Sequence, residues 1–395
     1  MRKPLKIGCI GARGLPSNYS GIEKACEGLY TKLAERGHDI TVYCRPQYAR
    51  DSLTVYRGIH LRVLPAVQSK SFDTLSHVGT SLFHAIAREH YDIIHLHALA
   101  PGVFARLCHA CKVPTVFTVH GLDWQRAKWK GVGAKVLRFA EVSMVRNADQ
   151  ILVVSRELQR YYADRYGRET IYIPNGVESI TEASCANQAI LREFDLIPHD
   201  YVLYLGRLVP EKRVENLIAA YRSIQSTSKL VITGESGFTN NYVAGLRRLA
   251  AGDTRIIFTG LQAGPAVHEL LHHASVFVSP SALEGLPMSL LECMQHGTPP
   301  VVSDIPPHRE LLGGIPGYDL FFPTGSVEAL RMQIEIALTA QAKYRHIAEK
   351  ARLFVSTAHS WPAIAERTET AFYSVLDQFK RCPTRAKSSS TVPQL

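Results

Sequence analysis

Residues 201–226 read YVLYLGRLVPEKRVENLIAAYRSIQS, and this stretch decides the fold. Five strand-favouring residues, Tyr201–Leu205, stop at Gly206. A polar turn follows, and then Val214, Leu217, Ile218 and Tyr221 recur at the spacing of one helical face. Strand, glycine turn and helix in that order open a βαβ unit around a parallel sheet. This opening stands halfway along a chain of 395 residues, more than one hydrophobic core usually organises. A fresh start at that point predicts a second open α/β domain.

The same alternation runs outward in both directions. Upstream, strands are expected at Lys6–Ile10, Asp39–Cys44, Ile59–Leu64, Ile93–His97, Thr115–Val119 and Gln150–Val154. Between them lie amphipathic stretches such as Ile22–Arg36, stopped by Gly37, since glycine tolerates the left-handed conformation that ends a helix. Downstream come the helix Val214–Ser226 and strands at Lys229–Thr233, Arg255–Phe258, Val276–Val278 and Pro300–Val302. The turn Pro174-Asn175-Gly176 and the polar segment Glu178–Ala189 mark the hinge. The expected organisation is a Rossmann-like domain over 1–180 and a second over 181–361. The last amphipathic helix, 362–380, is expected to return to the first domain, and the apolar-poor tail 383–395 to be disordered.

Composition removes several classes. Hydrophobic residues at 46% and charged residues at 20% are ordinary for a globular protein. No run approaches ~18 apolar residues, so a spanning helix is not expected. The opening MRKPLKIGCIGARG has basic residues before an apolar run, yet Gly8 and Gly11 break it, so it reads as a buried strand and not a leader. A cytoplasmic protein is the expectation. The eight cysteines show no disulfide spacing, and Cys108–Cys111 lacks the second pair that a zinc site needs.

The net charge of +10 is uneven, with +8 of it on residues 1–195. Arg126, Lys128, Lys130, Lys135 and Arg138 have no acid between them, and Trp124 and Trp129 interleave. Such a segment suits an anionic membrane surface or a phosphorylated acceptor, and equally a solvated helix face. No nucleic-acid module accompanies it, so nucleic acid is not an expected partner.

In open parallel sheets, ligands bind beyond the carboxyl ends of strands, so residues just after strands carry the chemistry. Gly206 lets the chain turn, and Arg207 and Lys212 flank the next helix start, where free N–H groups favour anions. After the strand at 276–278 comes SALEGLPMSLLE, residues 281–292. Glu284 falls in its loop and Glu292 inside a helix beginning near Pro287, with the Gly285 and Leu286 amides left for a ligand. Two carboxylates so placed can accept hydroxyl hydrogen bonds from two ends of a sugar nucleotide. His95 and His97 alternate on one strand and His272-His273 end a helix; core or surface roles suit both pairs. Trp361 reads as packing.

The G-R-L-V-P-E-K segment followed by S-A-L-E-G-L-P-M-S-L-L-E-C-M-Q-H-G-T-P-P-V-V resembles glycosyltransferase family 4, a retaining family with the GT-B fold. G-A-R-G-L-P-S-N-Y-S-G-I-E, T-V-H-G-L-D-W-Q-R-A-K-W and Y-I-P-N-G-V extend the likeness to a bacterial rhamnosyltransferase-like subgroup of surface-polysaccharide assembly. The resemblance implies two Rossmann-like domains facing across a cleft. It implies transfer of a hexose or deoxyhexose from a nucleoside diphosphate sugar to a glycan or lipid-linked glycan. Arg207 and Lys212 would then stabilise the leaving diphosphate, Glu292 would bind the ribose, and Glu284, Gly285, Leu286 and Pro287 would meet the donor sugar. His120 would stand near that sugar, and Gly11 and Gly14 would bring backbone close to the phosphates. Asp123 and Trp124 would line the acceptor side. No D-x-D motif stands where a sugar-nucleotide metal would sit, so neither metal nor cofactor is expected. A sugar-nucleotide epimerase of the same architecture and a non-catalytic sugar-binding protein are the rival readings.

Overall fold

The computed structural model describes residues 2–17, 20–49, 53–69, 72–129, 131–180, 187–236 and 240–381. Lys130, residues 181–186 of the polar linker (Cys185 among them), Cys382 and the tail 383–395 lie outside the described residues. The chain divides into two compact units, one holding the residues up to Gly176 together with Trp361 onward, the other Val177–Ser360.

The first unit is built on eight strands: β1 (Lys6–Ile10), β2 (Asp39–Cys44), β3 (Val55–Tyr56), β4 (Ile59–Val63), β5 (Ile93–His97), β6 (Thr115–Val119), β7 (Gln150–Val153) and β8 (Ile171–Tyr172). They lie in the order β3-β4-β2-β1-β5-β6-β7-β8, parallel throughout except for β3 against β4. Its helices are α1 (Gly21–Glu35), α2 (Asp73–Arg88), α3 (Ala105–Ala110), α4 (Val132–Asn147) and α5 (Arg156–Tyr166). Every residue of β5 and β6 is buried, as strands covered by helices on both faces must be. Ser155 caps α5 by accepting from the Leu158 amide, and Gly167 ends it in the left-handed conformation.

The second unit carries α6 (Ala189–Glu193), β9 (Tyr201–Leu205), α7 (Val214–Arg222), β10 (Lys229–Thr233), α8 (Asn240–Ala250), β11 (Ile256–Gly260), α9 (Pro265–His273) and β12 (Val276–Ser279). It continues through α10 (Met288–Gln295), β13 (Pro300–Ser303), α11 (Pro306–Leu312), β14 (Phe321–Phe322), α12 (Val327–Thr339) and α13 (Gln341–Ala358). Its six strands form one parallel sheet in the order β11-β10-β9-β12-β13-β14.

The final helix, α14 (Trp361–Arg381), belongs to the first unit and packs along α1. Trp361 lies so close over Gly28 that a Cβ there would stand 2.1 Å from the indole. Glycine at 28 is what allows the two helices to approach, and Trp361 is packing.

Differences from the sequence reading have local causes. The pairs β3, β8 and β14 are two residues long, too short to show a period in the sequence. A register irregularity pairs Thr233 with Gly260, so β11 runs later than the expected Arg255–Phe258. The helix expected to run to Ser226 stops at Arg222, where Ser223 and Ile224 turn back on Ala220 and Tyr221.

Candidate functional site

In the second unit the chain moves from β9 through β10 to β11 on one side, then returns to place β12 on the other. The strand order reverses between β9 and β12, and the carboxyl ends of strands at such a reversal leave a crevice. The Gly206–Lys212 turn leaves β9 there, and the Ser281–Glu292 segment leaves β12 there. Two contacts join these loops, though some seventy residues separate them in sequence. The Ala282 amide donates to the Glu211 carbonyl at 2.8 Å, and the Lys212 ammonium pairs with the Glu284 carboxylate.

The turn after β9 is held from below. Tyr204 donates its hydroxyl to the Arg207 carbonyl at 2.9 Å, and the Gly206 amide donates to the Thr233 carbonyl at 3.0 Å. Gly234, just after β10, has φ +137°, and a Cβ on it would stand 1.9 Å from the Gly206 carbonyl oxygen. A glycine at 234 is therefore a condition of the Gly206–Arg207 turn.

Lys212 and Glu284 are both largely buried, with side-chain exposures of 14% and 10%. Burial alone would push the Glu284 carboxyl up, but the Lys212 ammonium and then His308 outweigh it and hold the group below the usual carboxylate range. Glu284 is thus ionised at neutral pH and can only accept hydrogen bonds. His308, fully buried on α11, offers Nδ1 to the Ser303 carbonyl at 2.8 Å, and a carbonyl only accepts. The proton therefore sits on Nδ1, and Nε2 faces the Ser279 hydroxyl at 3.3 Å. Burial lowers this imidazole to about 4, so it stays neutral beside the carboxylate.

The two expected clamp cations are not equivalent. Lys212 already answers Glu284, and it ends a short 3₁₀ turn, Pro210–Lys212, with Arg213 between that turn and α7. The Val214 amide at the start of α7 donates to the Tyr242 hydroxyl at 3.2 Å, so that helix end is partly satisfied from within. Pro287 is the residue before α10 and not its first helical one, leaving Gly285 and Leu286 in the loop ahead of it. Glu292 falls in the second turn of α10.

The first unit repeats the topology. Its strand order reverses between β1 and β5, and Gly11, just after β1, has φ +111° there. A Cβ on Gly11 would stand 2.4 Å from the His97 carbonyl oxygen, and one on Gly14 would stand 2.8 Å from that of Tyr48. Both glycines serve close approach within the chain itself. The buried Glu23 accepts from the Arg13 amide at 2.9 Å and from the Ser20 hydroxyl, tying this loop to α1.

His120 follows β6, and its Nε2 stands 3.0 Å from Nδ1 of His97, the rings stacked at 5.3 Å. Nε2 of His97 lies 2.7 Å from the Tyr30 hydroxyl, which lies 2.8 Å from Nδ1 of His95. Nε2 of His95 reaches the Thr118 hydroxyl at 2.7 Å. Burial, with the charge of Arg126 second, lowers His120 to about 3; burial likewise lowers His95 to about 3 and drives His97 well down. A small cavity of about 30 Å³ touches His97, Thr118, His120, Asn175 and Trp361. Ligand atoms of Cys9, Cys26 and His97 come within 4.8 Å of one another, among the described residues the one such group. Both ring nitrogens of His97 are already engaged, so an ion there would have to displace Tyr30 or His120.

Asp123 and Trp124 have partners within the first unit. Trp124 donates its indole N–H to the buried Glu141 at 2.8 Å, and the Arg138 guanidinium covers its ring at 4.6 Å. Asp123 pairs with Arg126 at 3.4 Å.

His308 and Gly234 escaped the sequence reading, although Gly234 directly follows β10 as His120 follows β6; His308 lies inside α11, five residues beyond β13. His95 and His97 read as core, and they are buried; that alternation along a strand puts both on one face was the signal for their joint role.

Residues 19–179 match the family described as Glycosyltransferase Family 4, and residues 193–354 that described as Glycosyl transferases group 1. An uncharacterized glycosyltransferase of Methanocaldococcus jannaschii, MJ1607, is 24% identical over 95% of this chain and all of its own length. The Escherichia coli UDP-Gal:alpha-D-GlcNAc-diphosphoundecaprenol alpha-1,3-galactosyltransferase is 26% identical over 72% of this chain and 76% of its own. Among solved structures, sucrose-phosphate synthase from Thermosynechococcus elongatus superposes with a TM-score of 0.80 at 23% identity, covering 95% of this chain and 100% of that one. Anabaena HepE, in complex with UDP and glucose, gives 0.78 at 20% identity, covering 94% and 100%.

Proposed function

This chain is a glycosyltransferase with the GT-B fold, and on that premise we propose that its second unit binds a nucleoside diphosphate sugar. The group moved is a hexose or deoxyhexose, rhamnose among the candidates, and it is transferred with retention at the anomeric carbon. The acceptor is a glycan or lipid-linked glycan of the cell surface. One observation carries the reading: the Ala282–Glu211 and Lys212–Glu284 contacts gather Arg207, Lys212, Glu284 and Glu292 at the β9/β12 reversal. The E. coli relative, whose name gives a UDP-sugar donor and a lipid diphosphate-linked acceptor, favours the same substrate classes.

In this reading Arg207 and Lys212 face negative charge as the nucleoside diphosphate departs, and the site needs no reorganisation because Glu284 already holds Lys212 in place. Glu292 accepts the ribose hydroxyls, and Glu284 accepts from the donor sugar. The loop of Gly285, Leu286 and Pro287 runs into the N-terminus of α10, where amides favour the phosphates. His120, kept neutral by burial, exchanges hydrogen bonds with a sugar hydroxyl without adding a charge. No metal or cofactor is required, and EDTA should leave turnover unchanged.

The exposed face of α4 carries Val132, Lys135, Arg138, Phe139 and Arg146, while the one acid of that helix, Glu141, is buried. Cations beside apolar side chains suit the anionic surface where a lipid-linked acceptor would sit. No helix of the described residues is long and apolar enough to cross a membrane. Binding to anionic vesicles should weaken in a Lys135→Glu, Phe139→Ser variant; unchanged binding would remove α4 from this role.

The test of the donor site is thermal denaturation against a panel of nucleoside diphosphates and their sugars. A ligand of the native state raises the midpoint by mass action. One nucleotide family should do so, and the shift should vanish in Arg207→Ala and Glu292→Ala. No shift with any nucleotide at millimolar concentration would overturn the assignment.

A further inference from the structure

The four hydrogen bonds from His120 to Thr118 form one series, branched at Tyr30 to the Cys9 thiol, and their chemistry restricts it more than their lengths do. A neutral imidazole carries a single N–H, so each ring in the series donates from one nitrogen and accepts at the other. The Tyr30 hydroxyl carries one hydrogen and meets two ring nitrogens and the Cys9 thiol, so it donates to one of the three and can accept from the others. Suppose Tyr30 donates to His95. Then His97 donates to Tyr30 from Nε2, its Nδ1 is bare, and His120 must donate from Nε2. That leaves Nδ1 of His120 as an acceptor. If Tyr30 instead donates to His97, every bond reverses and Nδ1 of His120 carries the proton. If the hydroxyl turns to Cys9, both rings donate to it and Nδ1 of His120 is again an acceptor; among neutral forms these three arrangements satisfy all four bonds.

We propose that Tyr30 is a positioning residue for sugar transfer: acting through His97, it ties the tautomer of His120 to the direction of its own hydroxyl and so sets whether Nδ1 meets a sugar hydroxyl as acceptor or donor. The surroundings suit that task. Tyr30, His95 and His97 are exposed by 2% or less, and neither Tyr30 nor His95 lines the small cavity, so water does not compete for the bond between them. Tyr30 stands on α1, the histidines on β5, and Thr118 on β6, so the series is braced by three elements. Phe372 of α14 packs edge-on against His95 at 5.2 Å and keeps that ring from turning. The bonds also make use of the two histidines that a purely apolar core would exclude, since a buried imidazole without partners is costly.

The inference rests on His120 serving the transfer reaction, and a double-mutant cycle separates the two ideas. His120→Ala tests the underlying role: full activity in that variant removes it, whatever Tyr30 does. Tyr30→Phe keeps the ring and deletes the hydroxyl. With His120 present it should lower kcat about tenfold or more while KM for the donor changes little, since a wrong tautomer spoils the chemical step more than binding. In the His120→Ala background the same change should have no further effect, because its route to the sugar is gone. Side-chain ¹⁵N spectra should show one tautomer for His120 in the parent and a mixture in Tyr30→Phe.

A Tyr30→Phe protein with parental kcat and an unmixed His120 tautomer would overturn the proposal while leaving the role of His120 standing. So would equal losses of kcat in both backgrounds, the mark of a purely structural residue. Should Tyr30→Phe fold poorly, His95→Gln provides the second entry. Its amide can still meet Thr118 but offers nothing at the Nδ1 position, and the same non-additivity with His120→Ala is expected.

Discussion

The two units solve one topological problem with opposite chemistry. Each brings polar side chains to the carboxyl ends of strands at or beside the place where its strand order reverses, between β1 and β5 in one and between β9 and β12 in the other. The second unit fills that point with charge: Arg207, Lys212, Glu284 and Glu292. The first fills it with neutral polar groups, His95, His97, His120, Tyr30 and Thr118, joined in series. A diphosphate needs compensating charge, whereas a sugar hydroxyl needs a donor or acceptor of settled direction. On the function proposed above, the contrast between the units answers the contrast between those two ligands.

The largest effect should come from breaking the charged side. Lys212→Met removes a cation from the site and strands the buried Glu284. Turnover should fall about a hundredfold or more, and the second unit should lose about 3–5 kcal/mol, the usual cost of orphaning one member of a buried pair. Adding Glu284→Gln should restore much of the stability and none of the turnover. If the single variant is as stable as the parent in denaturant titrations, the pair is not the brace that its geometry suggests.

Acid should then separate the units. The pKa of Glu284 is depressed, so its contribution is complete above the ordinary carboxylate range and is lost only as pH falls through the lower folded value. The first unit is vulnerable sooner. His95 and His120 are lowered to about 3, His77 to about 4, and His97 well down, so the unfolded chain binds more protons as soon as pH drops below about 6.5. Stability is full above that value and is lost on acidification by about 1.4 kcal/mol per pH unit for each fully buried histidine. His199 and His308, both lowered to about 4, act in the same way in the second unit, but they are fewer. Hydrogen exchange at pH 7 and pH 5 should show protection lost first in the sheet of the first unit. Loss in the other order would break the comparison.

A smaller effect isolates the backbone beneath the charged site. Gly234→Ala places a Cβ against the Gly206 carbonyl oxygen and should cost about 1–3 kcal/mol, as overpacking usually does. Because the strain falls on the turn carrying Arg207, nucleotide affinity should drop with it. Affinity unchanged at reduced stability would show that the turn and the glycine are uncoupled. Smallest should be Trp124→Phe, which removes one hydrogen bond to Glu141 and should cost about 1 kcal/mol. Turnover with acceptor separates the two roles of Trp124: a loss places it on the acceptor side, and preserved turnover leaves it only as a brace for Glu141.

Much of this could be read before folding. Strands Asp39–Cys44, Ile93–His97, Thr115–Val119, Tyr201–Leu205 and Lys229–Thr233 have the ends that the sequence pattern predicts, because long buried strands carry an unbroken apolar signal. The position of Arg207, Glu284 and His120 just after strands was legible for the same reason, and that rule locates ligand-facing loops without a fold in hand. Gly11, Gly14 and Gly206 were legible as special backbone positions, but not the reason for them. Whether a glycine admits a ligand or another stretch of chain depends on a neighbour far away in sequence, here His97 for Gly11 and Tyr48 for Gly14.

The sequence by itself determined the elements and the end of each sheet at which function gathers, since periodicity, turn residues and strand–helix order are local properties of the chain. Only the tertiary structure decided who meets whom there. It gave Lys212 to Glu284 across seventy-two residues, Tyr30 to His95 and His97 across sixty-five and sixty-seven, and Trp361 to Gly28. Those meetings set charge compensation, tautomer and close approach, and each is a property of two segments in contact. No single segment encodes them, because the energy of an ion pair, a shared proton or a van der Waals contact exists only once both partners are in place.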